Sequence, residues 1–144
     1  MSVAHILGAK GRNVISVGPG ETVEKIIQLL AEKRIGAVIV THGQDKIAGI
    51  VSERDVVRHM ATQGAAILKK TVDTIMTKKV MTCTEADSEQ ELMALMTAHR
   101  IRHLPVVKGE KLIGMISIGD VVKHRIEAIE REAEEMKAYI AGAA

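Results

Sequence analysis

The sequence predicts a mixed α/β (α+β) fold made of two copies of one β-α-β-β-α unit. Three observations carry this. First, Gly49-Ile50-Val51-Ser52-Glu53-Arg54-Asp55 returns as Gly114-Met115-Ile116-Ser117-Ile118-Gly119-Asp120, each followed by Val-Val and a base, Arg58 or Lys123. Second, the residues ahead of these stretches match at an offset of 66: Ile15 with Met81, Val23 with Glu89, Ile35 with Ile101 and Val40 with Val106. Third, β-type apolar runs alternate with apolar residues at helical spacing through both halves, the mark of an internal structural repeat.

Taken in order, residues 1–13 form an N-terminal anchor, a short turn or helix with Ile6 and Leu7 and then a basic loop with Lys10 and Arg12. The first repeat, 14–64, opens with a strand at 14–17, ended by Gly18-Pro19-Gly20. Thr22 can cap a helix whose Val23, Ile26, Ile27 and Leu30 fall at i, i+3, i+4, i+7, with Gly36 ending it. Residues 37–40 read as a buried strand, and His42-Gly43-Gln44-Asp45 as a hairpin turn into a strand at 47–51. Ser52-x-x-Asp55 then opens a helix with Val56, Val57 and Met60 that stops near Gly64.

A Thr- and Lys-rich connector, 65–79, offers Ile67, Leu68, Val72, Ile75 and Met76 for packing. The second repeat, 80–126, has a capping box at Ser88-Glu89-Gln90-Glu91, helix residues Leu92, Met93 and Met96, and a buried strand within 101–107. Its last helix runs on through 127–144. Val122, Ile126, Ile129, Ala133, Met136 and Ile140 are spaced 4, 3, 4, 3, 4, an a/d seam that either folds back on its own domain or pairs with a second copy.

Apolar residues make up 47% of the 144, enough for a real core. Tyr139 is the only aromatic residue, and the net charge is +2. Single-stranded nucleic acids are usually held on aromatic platforms and duplexes by strong basic patches, so neither is an expected partner. Cys83 is the only cysteine, which fits a reducing, cytoplasmic setting. No signal segment and no apolar run of membrane-spanning length is evident, so no membrane association is expected.

The chemistry concentrates at the two Ser-x-x-Asp stretches. Serine at the N-cap and an acid at N3 tie off free N–H groups at a helix start. The same place offers a hydroxyl, a carboxylate and N–H donors to a ligand carrying ribose and phosphate. Both readings stand from the residues alone. His99 and His103 are four apart, but His103 begins a strand, so no metal site is expected. Cys83 has no fixed partner that would make it a nucleophile. Methionines such as Met93, Met96 and Met115 read as packing in an aromatic-poor core.

These residues together identify a resemblance. The paired stretches, with Ile35-Gly36-Ala37-Val38-Ile39-Val40 and Ile101-Arg102-His103-Leu104-Pro105-Val106-Val107 ahead of them and Asp73-Thr74-Ile75-Met76-Thr77 before Val80-Met81-Thr82, resemble a tandem pair of CBS (cystathionine β-synthase) domains over roughly residues 10–126. The resemblance implies a pseudo-twofold module whose small sheets face each other across two clefts. It implies a stand-alone, non-enzymatic regulator that binds an adenosine compound: AMP first, with ADP, ATP, NADH and S-adenosylmethionine as alternatives. It also implies a homodimer and a regulated partner protein.

On that pattern the nucleotide site comprises Thr77, Val80, Thr82, Ile101, Arg102, His103, Pro105, Ser117, Gly119 and Asp120. Asp120 would take the ribose hydroxyls and the backbone of 101–103 the adenine edge, with Arg54 reaching across toward the phosphate. A possible second site comprises Gly36, Ala37, Ser52 and Asp55, with Lys10 and Arg12 supplying charge. Two other functions compete with this one. One is a structural or dimerising module with empty clefts. The other is a phosphate-processing enzyme, which would lack a Gly-rich Lys loop, paired carboxylates and a metal cluster.

Overall fold

The computed structural model describes residues 2–43 and 45–143, the side chain of Ala143 excepted; Gln44, in the expected hairpin turn, lies outside the described residues. The chain runs α1 (Val3–Lys10), β1 (Ser16–Val17), α2 (Val23–Lys33), β2 (Ala37–His42), β3 (Lys46–Ser52) and α3 (Glu53–Gln63). Short 3₁₀ turns at Gly64–Lys69 and Val72–Thr74 precede α4 (Glu89–His99), β4 (His103–Lys108), β5 (Lys111–Ser117) and α5 (Ile118–Ala143).

Local chemistry accounts for the helix starts. Thr22 Oγ1 accepts from the Lys25 N–H, Ser88 Oγ from Glu91, and Ser52 and Asp55 form a reciprocal capping box. The helix ends differ from expectation. Arg34, not Gly36, closes α2 in the left-handed region at φ 51°, and Arg100 closes α4 at φ 53°. Each donates its N–H back to a carbonyl of the last turn, which offsets the crowding of a Cβ there.

Within each repeat the two long strands pair antiparallel with a register shift at the same place, Val40/Thr41 and Val106/Val107. The strands join in the order β1-β2-β3-β5-β4, but β3 and β5 meet at one pair, Lys46 and Lys111. The two repeats therefore share one sheet through a single edge contact. Where repeat 1 has β1 parallel to β2, repeat 2 keeps one bridge, Cys83 to Val106.

The feature that organises the core is an exchange of leading segments. α1 precedes repeat 1 but packs on repeat 2: Val3, Ile6 and Leu7 share a core with Leu92, Met96, Leu104, Val106, Ile116 and Val121. The connector precedes repeat 2 but packs on repeat 1, with Ile67, Val72 and Ile75 against Val23, Ile26, Val38 and Val51. The backbone seals both exchanges. Val3 N–H donates to Asp87 O at 2.9 Å, and Val72 N–H to Glu21 O at 2.7 Å.

Gly49 and Gly114 make room for it. A Cβ on Gly114 would lie 2.8 Å from Leu7 Cδ2, and one on Gly49 would lie 2.6 Å from Met76 Sδ. A bare backbone inside an apolar strand marks this sort of close approach.

Repeat 2 carries a buried polar pair where repeat 1 is apolar. Val23 is fully buried, while its counterpart Glu89 is buried against His124, with Oε2 3.5 Å from Nδ1. The His5 ring meets His124 edge-on at 5.4 Å. Met93, expected in the core, is exposed on the outer face of α4. The seam of α5 does not fold back either. The helix meets its own domain through Val121, His124 and Ala128, leaving Val122, Ile126, Ile129, Met136 and Ile140 exposed.

Candidate functional site

The N-termini of α3 and α5 carry the two Ser-x-x-Asp stretches, and both fold as capping pairs. In repeat 1, Asp55 Oδ2 accepts from Ser52 N–H at 2.8 Å and from Ser52 Oγ at 3.0 Å. In repeat 2, Asp120 Oδ2 accepts from Ser117 N–H at 2.8 Å, and Ser117 Oγ accepts from Asp120 N–H at 3.2 Å.

Asp120 alone gains a cation. Lys10 Nζ donates to its Oδ2 at 2.5 Å and to the Met115 carbonyl at 2.7 Å. This corrects the expectation that Lys10 and Arg12 serve Ser52 and Asp55. The exchange carries α1 onto repeat 2, so Lys10 lands beside Asp120, and Arg12 pairs with Glu85 at 2.6 Å. The same exchange moves Thr77 the other way. Its N–H and carbonyl pair with Ile50 in β3, beside Ser52 and away from Ser117.

His103 stands where the repeats meet. A Cβ on Gly36 would lie 2.9 Å from its Cε1. Symmetric bonds brace the two sides, Glu53 N–H to Gly36 O at 3.0 Å and Ile118 N–H to Arg102 O at 2.8 Å. Burial holds the His103 pKa below its ordinary 6.5, with Lys10 and Arg102 pushing the same way and Asp120 and Glu53 opposing them. For Asp120, burial pushes the pKa up, but the bonds from Lys10 and Ser117 outweigh it and hold the carboxyl below 3.8.

Because His103 binds protons less readily folded than unfolded, acidification below 6.5 favours the unfolded chain. Asp120 stabilises the fold above 3.8, and that contribution is lost as pH falls through its depressed pKa. Lys10→Met removes the cation between them, so both groups are expected to titrate at higher pH. The His103 ring-proton NMR titration reads this; an unchanged midpoint would mean Lys10 does not face the ring.

The remaining expected residues divide. Val80 is half-buried and Thr82 exposed, both leading to Cys83, whose N–H donates to Pro105 O at 3.0 Å. Ile101 and Arg102 lie immediately before β4, Arg102 exposed. Gly119 is exposed at the start of α5, where an added Cβ would meet only Ser117 Oγ, at 3.6 Å. Pro105 and Ala37 are buried inside strands and offer a ligand no side-chain surface. Arg54 does cross between repeats, but its Nη1 donates to Arg100 O at 3.4 Å, neither to Ser117 or Asp120 nor in an ion pair with Glu53 or Asp55. Glu53, whose charge acts on the His103 ring, was not among the expected residues.

Cys83 is buried, and burial with Asp87 nearby pushes its thiol up to about 12, so it is not a nucleophile at neutral pH. Among the described residues no three His, Cys, Asp or Glu side chains come together to hold a metal ion.

The pattern described as CBS domain matches this chain twice, over residues 9–62 and 72–127. The chain belongs to the CBS-domain family. As a CBS pair it is 33% identical to the CBS domain-containing protein CBSX3, mitochondrial, of Arabidopsis thaliana, over 98% of this chain and 72% of that protein. Two solved structures are similar. A CBS-domain-containing protein from Agrobacterium tumefaciens is 43% identical with a TM-score of 0.84, covering 87% of this chain and 99% of its own. A protein with CBS domains from Burkholderia ambifaria MC40-6 is 48% identical with a TM-score of 0.83, covering 88% and 95%. CBS pairs are in general regulatory, ligand-binding modules, and adenosine-containing molecules are among their ligands.

Proposed function

We propose that this CBS pair is a regulatory sensor of an adenosine-containing ligand, held beside the N-terminus of α5 where Lys10 meets Asp120. The observation that supports it is the convergence of Lys10, His103 and the Ser117–Asp120 pair at the N-terminus of α5. Asp120 bonds Lys10 and Ser117 N–H through Oδ2, which suits Oδ1 to accept the two ribose hydroxyls. The base lies along the backbone of Ile101, Arg102 and His103, with Val80 and Thr82 opposite. Lys10, Arg54 and the backbone at Gly119 face the phosphate.

AMP is the first candidate, then ADP and ATP, with NADH and S-adenosylmethionine also in range. A fold neighbour at 20% identity, the CBS pair of protein MJ0100, is known in complex with 5′-methylthioadenosine and S-adenosyl-L-methionine. A second site at Gly36, Ser52 and Asp55 would gain Thr77, and among the described residues Asp55 has no ion-pair partner to match Lys10 at Asp120.

The output is regulatory and not catalytic: the ligand favours one arrangement of the two repeats and so changes affinity for a partner protein. The working form is a homodimer, and a CBS-CP12 protein of 27% identity is hexameric. The lone, buried Cys83 supports a reducing, cytoplasmic setting. No helix among the described residues is long and apolar enough to cross a membrane.

Thermal unfolding with AMP, ADP, ATP, NADH and S-adenosylmethionine tests the reading, with GMP as control. A ligand at a hundred times its Kd adds about 2.7 kcal/mol, a shift of several degrees. No shift with any adenosine compound contradicts the reading.

A further inference from the structure

We propose that α5 pairs with α5 of a second copy as a parallel, in-register two-stranded coiled coil. This deepens the homodimer reading above and rests on it. Val122, Ile126, Ile129, Met136 and Ile140 are 44–61% exposed, and Ala133 completes the seam. At 100° per residue this stripe lies about 125° round the helix from Val121, His124 and Ala128, which hold α5 to its own domain. The seam therefore faces away from the body. From residue 129 to 142 every residue is exposed, so some 20 Å of helix stands clear of the domain. A helix of that length is marginal alone in water, and its stability comes from packing an apolar face.

Charge selects the occupant and its direction. With Ile126, Ala133 and Ile140 at a and Val122, Ile129 and Met136 at d, the g positions are Arg125, Glu132 and Tyr139, and the e positions Lys123, Glu130 and Lys137. A parallel pair sets Arg125 against Glu130 of the second copy and Glu132 against its Lys137, both opposite in sign. An antiparallel pair that keeps the seams in register centres on residue 131. It sets Glu130 against Glu130, Glu132 against Glu132 and Lys123 against Lys137, all repulsive. The sequence thus complements a copy of itself in one orientation and opposes the other.

Cross-linking tests this, with light scattering to count copies. In parallel register Met136 meets Met136, within the roughly 7 Å Cα separation a disulfide allows. Met136→Cys is expected to oxidise to a covalent dimer, whereas Glu134→Cys, on the outer face, stays uncoupled. Wild-type protein is the blank, since Cys83 is buried. A dimer whose Met136→Cys links no faster than Glu134→Cys overturns the pairing while leaving the homodimer intact, and a monomer overturns both. Preferential linkage of mixed Ile126→Cys and Met136→Cys chains would show the antiparallel form and also overturn it.

Discussion

Leu7→Ala is expected to destabilise the protein by about 2–5 kcal/mol, the cost of emptying a fully buried leucine site. Leu7 lies in a helix that precedes repeat 1, yet its side chain fills the space left by Gly114 in the middle of β5. The surroundings cannot collapse easily, because Ile116, Leu104 and Val106 are already fully buried in paired strands. Urea unfolding measures the loss, and hydrogen exchange is expected to open repeat 2 first. A loss below about 1 kcal/mol, closer to a surface substitution, would mean that α1 is not part of the core of repeat 2.

Asp120→Ala is expected to weaken binding of an adenosine ligand by about a hundredfold or more. Two hydrogen bonds from ribose hydroxyls to a carboxylate are together worth roughly 3–6 kcal/mol. The substitution also frees Lys10, whose Nζ keeps only the Met115 carbonyl, and removes the acceptor for Ser117 N–H. Thr22→Ala is the control. It removes the N-cap of α2 at a stability cost of about 1 kcal/mol, but no group from either proposed site. Calorimetric titration separates the two, and equal losses of affinity would place the ligand elsewhere.

Much of this was legible in the chain. The two copies of Ser-x-x-Asp fixed where helices follow strands, and β-branched runs at 37–40 and 104–107 marked the buried strands, because both signals are local. The exchange of leading segments was not legible. Leu7 and Met76 look like any apolar residues near a turn, and which repeat they cover depends on where the chain crosses, not on composition. Gly49 and Gly114 were the available signal: glycine at the same internal strand position in both copies announces that something packs close, without saying what. Missing the crossing set Lys10 with Asp55 and Thr77 with Asp120, whereas Lys10 bonds Asp120 and Thr77 pairs with Ile50, two residues before Ser52. Glu89 shows the limit of the repeat as a guide. Its counterpart Val23 is apolar, and only the fold reveals His124 beside it.

The most direct test is an amide chemical-shift titration of the ¹⁵N-labelled protein with AMP. The adenosine-sensor reading predicts that the largest shifts fall on Lys10, on Ile101, Arg102 and His103, and on Ser117 to Asp120, with the His103 ring titrating at higher pH once a phosphate lies beside it. Shifts confined to Ser52–Asp55 and Thr77, or none at saturating nucleotide, would contradict it.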